Sequence, residues 1–179
     1  MTSDFNTLVQ KFIGPPVNIE AIIRGLGIEL DKRAELDTEI AGQLVRSDDG
    51  KFKISVNKSD TYYRQRFTMA HELGHYLMHA HLIGDGVDDS TAYRSVPEGR
   101  FYNSLITSVE ETQANQFASR LLLPKSVIIQ KAHIGTTVKE LSVLLQASIR
   151  ATEIRLKGLG YTIEDGKISG KPELVEIIV

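Results

Sequence analysis

Apolar residues recur at helical spacing in two long stretches of the chain, and in short clustered or alternating runs before the first of them. Phe67, Ala70, Leu73, Leu77 and Met78 fall on one stripe, which predicts a core-facing helix through 67–79. Ala114, Phe117, Ala118, Leu121 and Leu122 form a second stripe, closed by Pro124, and predict a helix from about Val109. Nearer the start, Ser3 is placed to cap a short helix ended by Gly14-Pro15-Pro16. Asn18 is placed to cap another that buries Ile19, Ile22, Ile23 and Leu26. Strand-like pieces at 28–30, 42–45 and 52–56 follow, with Asp48-Asp49-Gly50 as a hairpin signal, and predict a small antiparallel sheet. Residues 83–104 are rich in Gly, Asp, Ser and Tyr without periodicity and read as a long loop, on the substrate side or else disordered. Thr137-Val138-Lys139-Glu140 is a capping box opening a helix to about Gln146. Ser148 begins another helix, with Ile149, Ile154 and Leu156 apolar, and Asp165-Gly166 suggests a terminal hairpin or an extended tail. The expectation is one α+β domain over 1–179, its sheet packed on the 67–79 helix, with a helical C-terminal subregion at about 125–160.

Composition narrows the class. At 179 residues the chain has room for one well-filled core. Its net charge of −2, without a basic run or acidic tail, argues against a polyanion or a membrane surface as partner. With no cysteine there are no disulfides, no thiolate zinc site and no cysteine nucleophile. The first residues lack the pattern of a signal peptide, and no apolar run approaches the roughly 20 residues that span a bilayer. A soluble cytoplasmic protein is expected.

The candidate chemistry sits inside the first stripe. His71-Glu72-Leu73-Gly74-His75 is an H-E-x-x-H sequence, and on a helix its two histidines differ by only about 40° in direction. Both imidazoles can reach one ion. Zn²⁺ suits this donor type, with Mn²⁺ or another divalent ion as the alternative, and two His plus one further ligand leave a fourth position open for water. Glu72 lies beside that position as the general base. For the third ligand, His81 has the metzincin spacing, but Met78 stands where that pattern needs glycine and no later methionine exists for the methionine turn. On a continued helix His81 would sit about 280° around from His71, and His79 would sit about 12 Å along the axis, a site for packing or for supporting a ligand. Glu111 is the better candidate. It shares a helix face with Asn115, whose amide can accept from the outer nitrogen of a ligand histidine. The alternatives are that Glu110 and Glu111 merely favour a helix N-terminus, or that Glu110 is the ligand.

The segment 66–79, together with Glu111-x-x-Ala114-Asn115-x-Phe117-Ala118-x-x-Leu121-Leu122-Leu123-Pro124, resembles the ImmA/IrrE metallopeptidases of bacteria and their phages. The likeness runs more loosely from about Pro16 to Gly160 and includes Ile54-Ser55-Val56-Asn57. It implies a gluzincin-like site of His71, His75 and Glu111 with Glu72 as base. It also implies a substrate, a helix-turn-helix repressor, which here would be a separate protein because this chain carries no such unit at its start. Gln113 departs from the pattern, since many relatives carry a second acid there.

Several questions stay open at this level. Zincin-type peptidases hold an extended substrate against a strand edge, and whether 52–56 is that edge is unsettled. Tyr93, Arg94, Tyr102 and His133 are candidates for stabilising the oxyanion. The C-terminal helix pair, with Arg150, Arg155 and Lys157 nearby, has the form of a DNA-reading unit but only a modest basic excess, so direct DNA binding is not expected. The competing functions are a non-catalytic zinc-containing regulator of a repressor or DNA, and a toxin-like component of a toxin–antitoxin pair.

Overall fold

The computed structural model describes residues 2–83, 93–94 and 106–172. In order they form α1 (Thr2–Phe12), α2 (Ile19–Gly25), β1 (Glu29–Ala34), β2 (Gly42–Arg46), β3 (Phe52–Asn57), α3 (Tyr62–His79), a 3-10 turn (Ala80–Leu82), β4 (Tyr93–Arg94), α4 (Ser108–Leu122), α5 (Lys125–Lys131), α6 (Val138–Leu145), α7 (Ile149–Gly158), β5 (Thr162–Glu164) and β6 (Lys167–Gly170). The class is α+β, as expected. Most of the anticipated 83–104 loop lies outside the described residues, and its described piece, β4, is a strand. Because α1 already runs from Thr2, Ser3 lies within its first turn rather than ahead of it.

The first sheet has the order β1-β3-β2-β4. The β2–β3 and β2–β4 pairs are antiparallel, but β1 runs parallel to β3, so the sheet is mixed rather than wholly antiparallel. The reason lies in residues 35–41. They carry the chain from β1 past the place of β3 to its far side, and the tight hairpin then returns β3 into the gap. That hairpin uses Gly50 at φ 76°, with Ser47 Oγ donating to Asp49 Oδ1 at 2.7 Å. Consequently β3 is paired on both sides and is not the free edge that a substrate strand could join.

Asn57 holds the crossover. It is buried, and its amide Nδ2 donates to the carbonyls of Leu36, Asp37 and Ile40 at 3.2, 3.1 and 2.9 Å. Its Oδ1 accepts from the Ser59 backbone at 3.0 Å. Three carbonyls of an irregular, largely exposed loop thus share one buried donor, which ties the loop to the end of β3.

The core falls into two clusters. The first joins α2, the sheet and α3 through Ile19, Ile22, Ile23, Leu44, Ile54 and Leu73, and each such side chain contributes about 1.5–3 kcal/mol by leaving water. Asn18 caps α2 by accepting from Ala21 N at 3.1 Å. The second cluster gathers Leu123, Ile128, Leu145, Leu156, Tyr161 and Ile168 from the C-terminal part. Leu122 belongs to the first and Leu123 to the second, so the seam crosses a single peptide bond. The clusters are tied where α6 ends on Gln146 in the left-handed region, φ 50°. Arg66 of α3 donates to the Gln146 carbonyl at 3.1 Å and to that of Val17 at 2.8 Å. Both C-terminal helix caps form as expected, Thr137 with Glu140 and Ser148 with Ala151. The terminal hairpin turns on Asp165 and Gly166, φ 48° and 73°. Among the described residues, no helix is long and apolar enough to cross a membrane.

Replacing Asn57 by Ala removes the donor of one buried and two partly buried carbonyl contacts, so a loss of about 1–3 kcal/mol is expected. Urea unfolding measures it, and an unchanged midpoint would show that the loop does not depend on this side chain.

Candidate metal centre

Helices α3 and α4 lie against each other because small residues let them. Ala114 and Ala118 are fully buried. A Cβ added to Gly74 would meet Phe117 Cδ1 at 3.0 Å and Ala114 Cα at 3.3 Å, so any larger residue would push the helices apart by a few tenths of an ångström or displace Phe117. The start of α4 then sorts its two acids. Glu110 closes a capping box, its carboxylate accepting from the Thr107 backbone at 2.8 Å, whereas Glu111 is free of that duty and turns toward α3.

Three donors converge. His71 Nε2 and His75 Nε2 are 3.0 Å apart, and the Glu111 carboxylate lies 3.5 Å from the first and 4.0 Å from the second. A tetrahedral Zn²⁺ with bonds of about 2.0–2.1 Å spaces its ligand atoms by about 3.4 Å, so the donor set fits such an ion by chemistry and by spacing. Asn115 Oδ1 sits 3.1 Å from His71 Nδ1, on the side away from the other donors. His79 is not one of the converging donors. Its Nδ1 is 3.0 Å from His75 Nδ1, and its Nε2 is 2.9 Å from Gln113 Oε1. His81 is exposed on the 3-10 turn.

Glu72 is completely buried on the sheet side of α3. Strand β2 comes close there because residue 42 is glycine. An added Cβ would lie 2.3 Å from Thr68 Cγ2 and 3.5 Å from Glu72 Oε1. Gly42 is the residue that sequence reasoning passed over, although a glycine inside a strand is a signal for close approach. A cavity of about 260 Å³ opens at the centre, lined by Ala41, Phe67, Thr68, His71, Glu111 and Asn115. It shares Phe67, Asn115 and Arg64 with an apolar groove of about 600 Å³ that continues between α3, α4 and the α6–α7 turn. Of the oxyanion candidates, Tyr93 and Arg94 form β4 beside β2, and Tyr102 lies outside the described residues. His133 sits at the α5–α6 turn, 3.5 Å from Lys171, and does not line the cavity.

The family model for the IrrE N-terminal-like domain, a peptidase family, matches residues 35–157. The chain belongs to this family. The matched span holds both helices of the centre, β2 with Gly42 and the start of the C-terminal cluster. No curated protein matches the chain. Within this IrrE-like peptidase domain, the His71, His75 and Glu111 cluster is compatible with a metal site.

Burial sets the charge states. It pushes His71 down to about 4, and with the neighbouring His71 and His79 it pushes His75 down to about 2. Both imidazoles are therefore neutral at pH 7 and offer lone pairs. Burial also pushes Glu111 up to about 7, as for a carboxylate awaiting a counter-charge. These shifts give opposite slopes. From pH 4.5 to 6.5 the unfolded chain binds more protons than the folded one at His71 and His75, so stability rises with pH. Over the same range folded Glu111 holds a proton that the unfolded chain loses, so it opposes the rise. In protein stripped of divalent ions, the urea midpoint is expected to fall on acidification from pH 6.5 to 4.5, two histidines outweighing one acid, and Glu111→Gln should steepen the fall. A flat profile in both would show that burial does not hold the histidines neutral.

Proposed function

We propose that the chain is a zinc-dependent endopeptidase that cleaves a separate helix-turn-helix repressor or antitoxin in the cytoplasm. The observation that carries the catalytic part is the convergence of two neutral imidazole nitrogens and a carboxylate, from two helices, in a domain of a peptidase family. Zinc is favoured over Mn²⁺ by two nitrogen donors against one oxygen. A bound divalent ion would polarise the scissile carbonyl and lower the pKa of the attacking water.

The protein's own groups do the rest. His71, His75 and Glu111 hold the ion. Asn115 accepts from Nδ1 of His71, which leaves Nε2 as the binding atom. Glu72, buried beside Gly42, takes the proton from the attacking water and delivers it to the leaving amine. The substrate chain enters through the continuous depression formed by the cavity and the apolar groove, with Phe67 and Asn115 at the junction. Such a groove suits an apolar stretch of a partner, as a helical repressor offers once partly unfolded. The repressor and antitoxin versions share this chemistry and differ in target.

Glu72→Gln tests the assignment. The variant should still take up one Zn²⁺, while cleavage of the repressor encoded beside the gene falls by about 10²–10⁴-fold, read by intact-mass analysis. Cleavage at the wild-type rate would reject Glu72 as the base, and a wild-type protein that leaves the repressor whole would reject that substrate.

A further inference from the structure

The groove beside the centre has an apolar floor and a basic rim. Its described lining contributes Phe67, Leu122, Ala147 and Ala151 as apolar surface and two arginines, Arg64 and Arg150, but no carboxylate. The arginines stand on opposite walls, Arg64 on α3 and Arg150 in the first turn of α7. A third guanidinium lies behind the floor, where Arg155 Nε donates to the Leu123 carbonyl at 3.1 Å. The nearest acids on these helices are already engaged. Asp60 holds Arg64 through Nε at 3.1 Å, and Glu153 of α7 pairs with Lys157 at 2.6 Å. Arg150 is exposed and has no ion-pair partner among the described residues.

Arg64 ties this rim to the chemistry. With Phe67, Thr68 and His71 it forms one face of α3, at i, i+3, i+4 and i+7, and all four line the cavity at the centre. Arg64 precedes His71 by two turns, about 10.5 Å along the axis. An extended peptide advances about 3.3 Å per residue, so a chain whose scissile bond sits at the centre brings to Arg64 the side chain about three residues away. Building on the endopeptidase reading above, we infer that Arg64 and Arg150 are specificity-determining residues that select a partner segment in which carboxylates flank an apolar stretch. The apolar stretch fills the floor between the walls, and the arginines meet the acids on either side of it. Complementary charge at a rim steers encounter and rejects wrong partners, so a segment that brings lysine to Arg64 is turned away. Duplex DNA satisfies arginines through its phosphates but offers no apolar side chain for the floor. A peptide matches the whole lining.

Binding is read by fluorescence anisotropy on the full chain stripped of divalent ions, which holds a peptide without cutting it, and cleavage by mass spectrometry once Zn²⁺ is restored. The probes are labelled decapeptides with a central run of leucines flanked by two aspartates, two asparagines or two lysines. The aspartate peptide should bind about 10-fold more tightly than the asparagine one and the lysine peptide most weakly, with the differences fading at about 1 M salt. Arg64→Gln combined with Arg150→Gln should remove the preference. Arg150→Glu should move it toward the lysine peptide, a gain that a misfolded chain could not show. The same affinity for all three peptides in the wild type, or a preference that survives in the double variant, would overturn the inference. Displacement of the aspartate peptide by an equal concentration of a short DNA duplex would also overturn it. Cleavage separates the two readings. An aspartate preference in binding with no product after Zn²⁺ is added would leave the groove's selectivity standing and reject the endopeptidase, whereas cleavage without any preference would do the reverse.

Discussion

The chemistry of this molecule rests on how closely two helices can approach, because the donors that face one another come from both α3 and α4 and none has reach to spare. Glycine at 74 opposite Ala114 and Phe117 sets that distance. A glutamate side chain spans only a few ångströms, so Glu111 meets His71 and His75 only if the backbones lie at the separation that a missing Cβ permits. Strand β2 makes the same demand on the other side of α3. Gly42 lets the backbone settle against Thr68 and Glu72, so the helix with the histidines is held between two close approaches rather than one.

Desolvation is the second part of the same constraint. Packing that tight removes water from imidazoles and carboxylates alike, and the result is visible in the lowered His71 and His75 and the raised Glu111. All three move toward their uncharged forms. Neutral histidine is the form that binds a metal ion, whereas neutral glutamic acid is not. The centre is therefore poised for a cation on one side of the balance and resistant on the other, and Glu111 completes the site only when positive charge arrives to offset its burial.

Much of this was legible in the sequence because it is local. The H-E-x-x-H spacing, the two apolar stripes, the capping box at Thr137 and the turn at Asp165-Gly166 depend on residues within a few positions of one another. The preference for Glu111 over Glu110 was legible from its sharing a face with Asn115. The structure adds the reason that Glu110 is committed to the cap. What escaped was non-local. Nothing in residues 28–57 says that the third strand of the chain enters between the first two, since that follows from where the 35–41 crossover goes and from Asn57 reaching back to hold it. The role of Gly42 needed the facing helix, and the His79 contact with Gln113 needed two side chains 34 positions apart to meet.

The division between Leu122 and Leu123 has a mechanical meaning for the apolar groove. One wall, with Phe67, is built on the first cluster, while the opposing wall at Ala147 and Ala151 is built on the second. A jaw whose halves are anchored in separate cores changes its gape whenever one core tilts against the other. The Arg66 to Gln146 contact is the pin about which that tilt is restrained. Drift at remote C-terminal positions can therefore change the width of the groove without altering any residue at the centre.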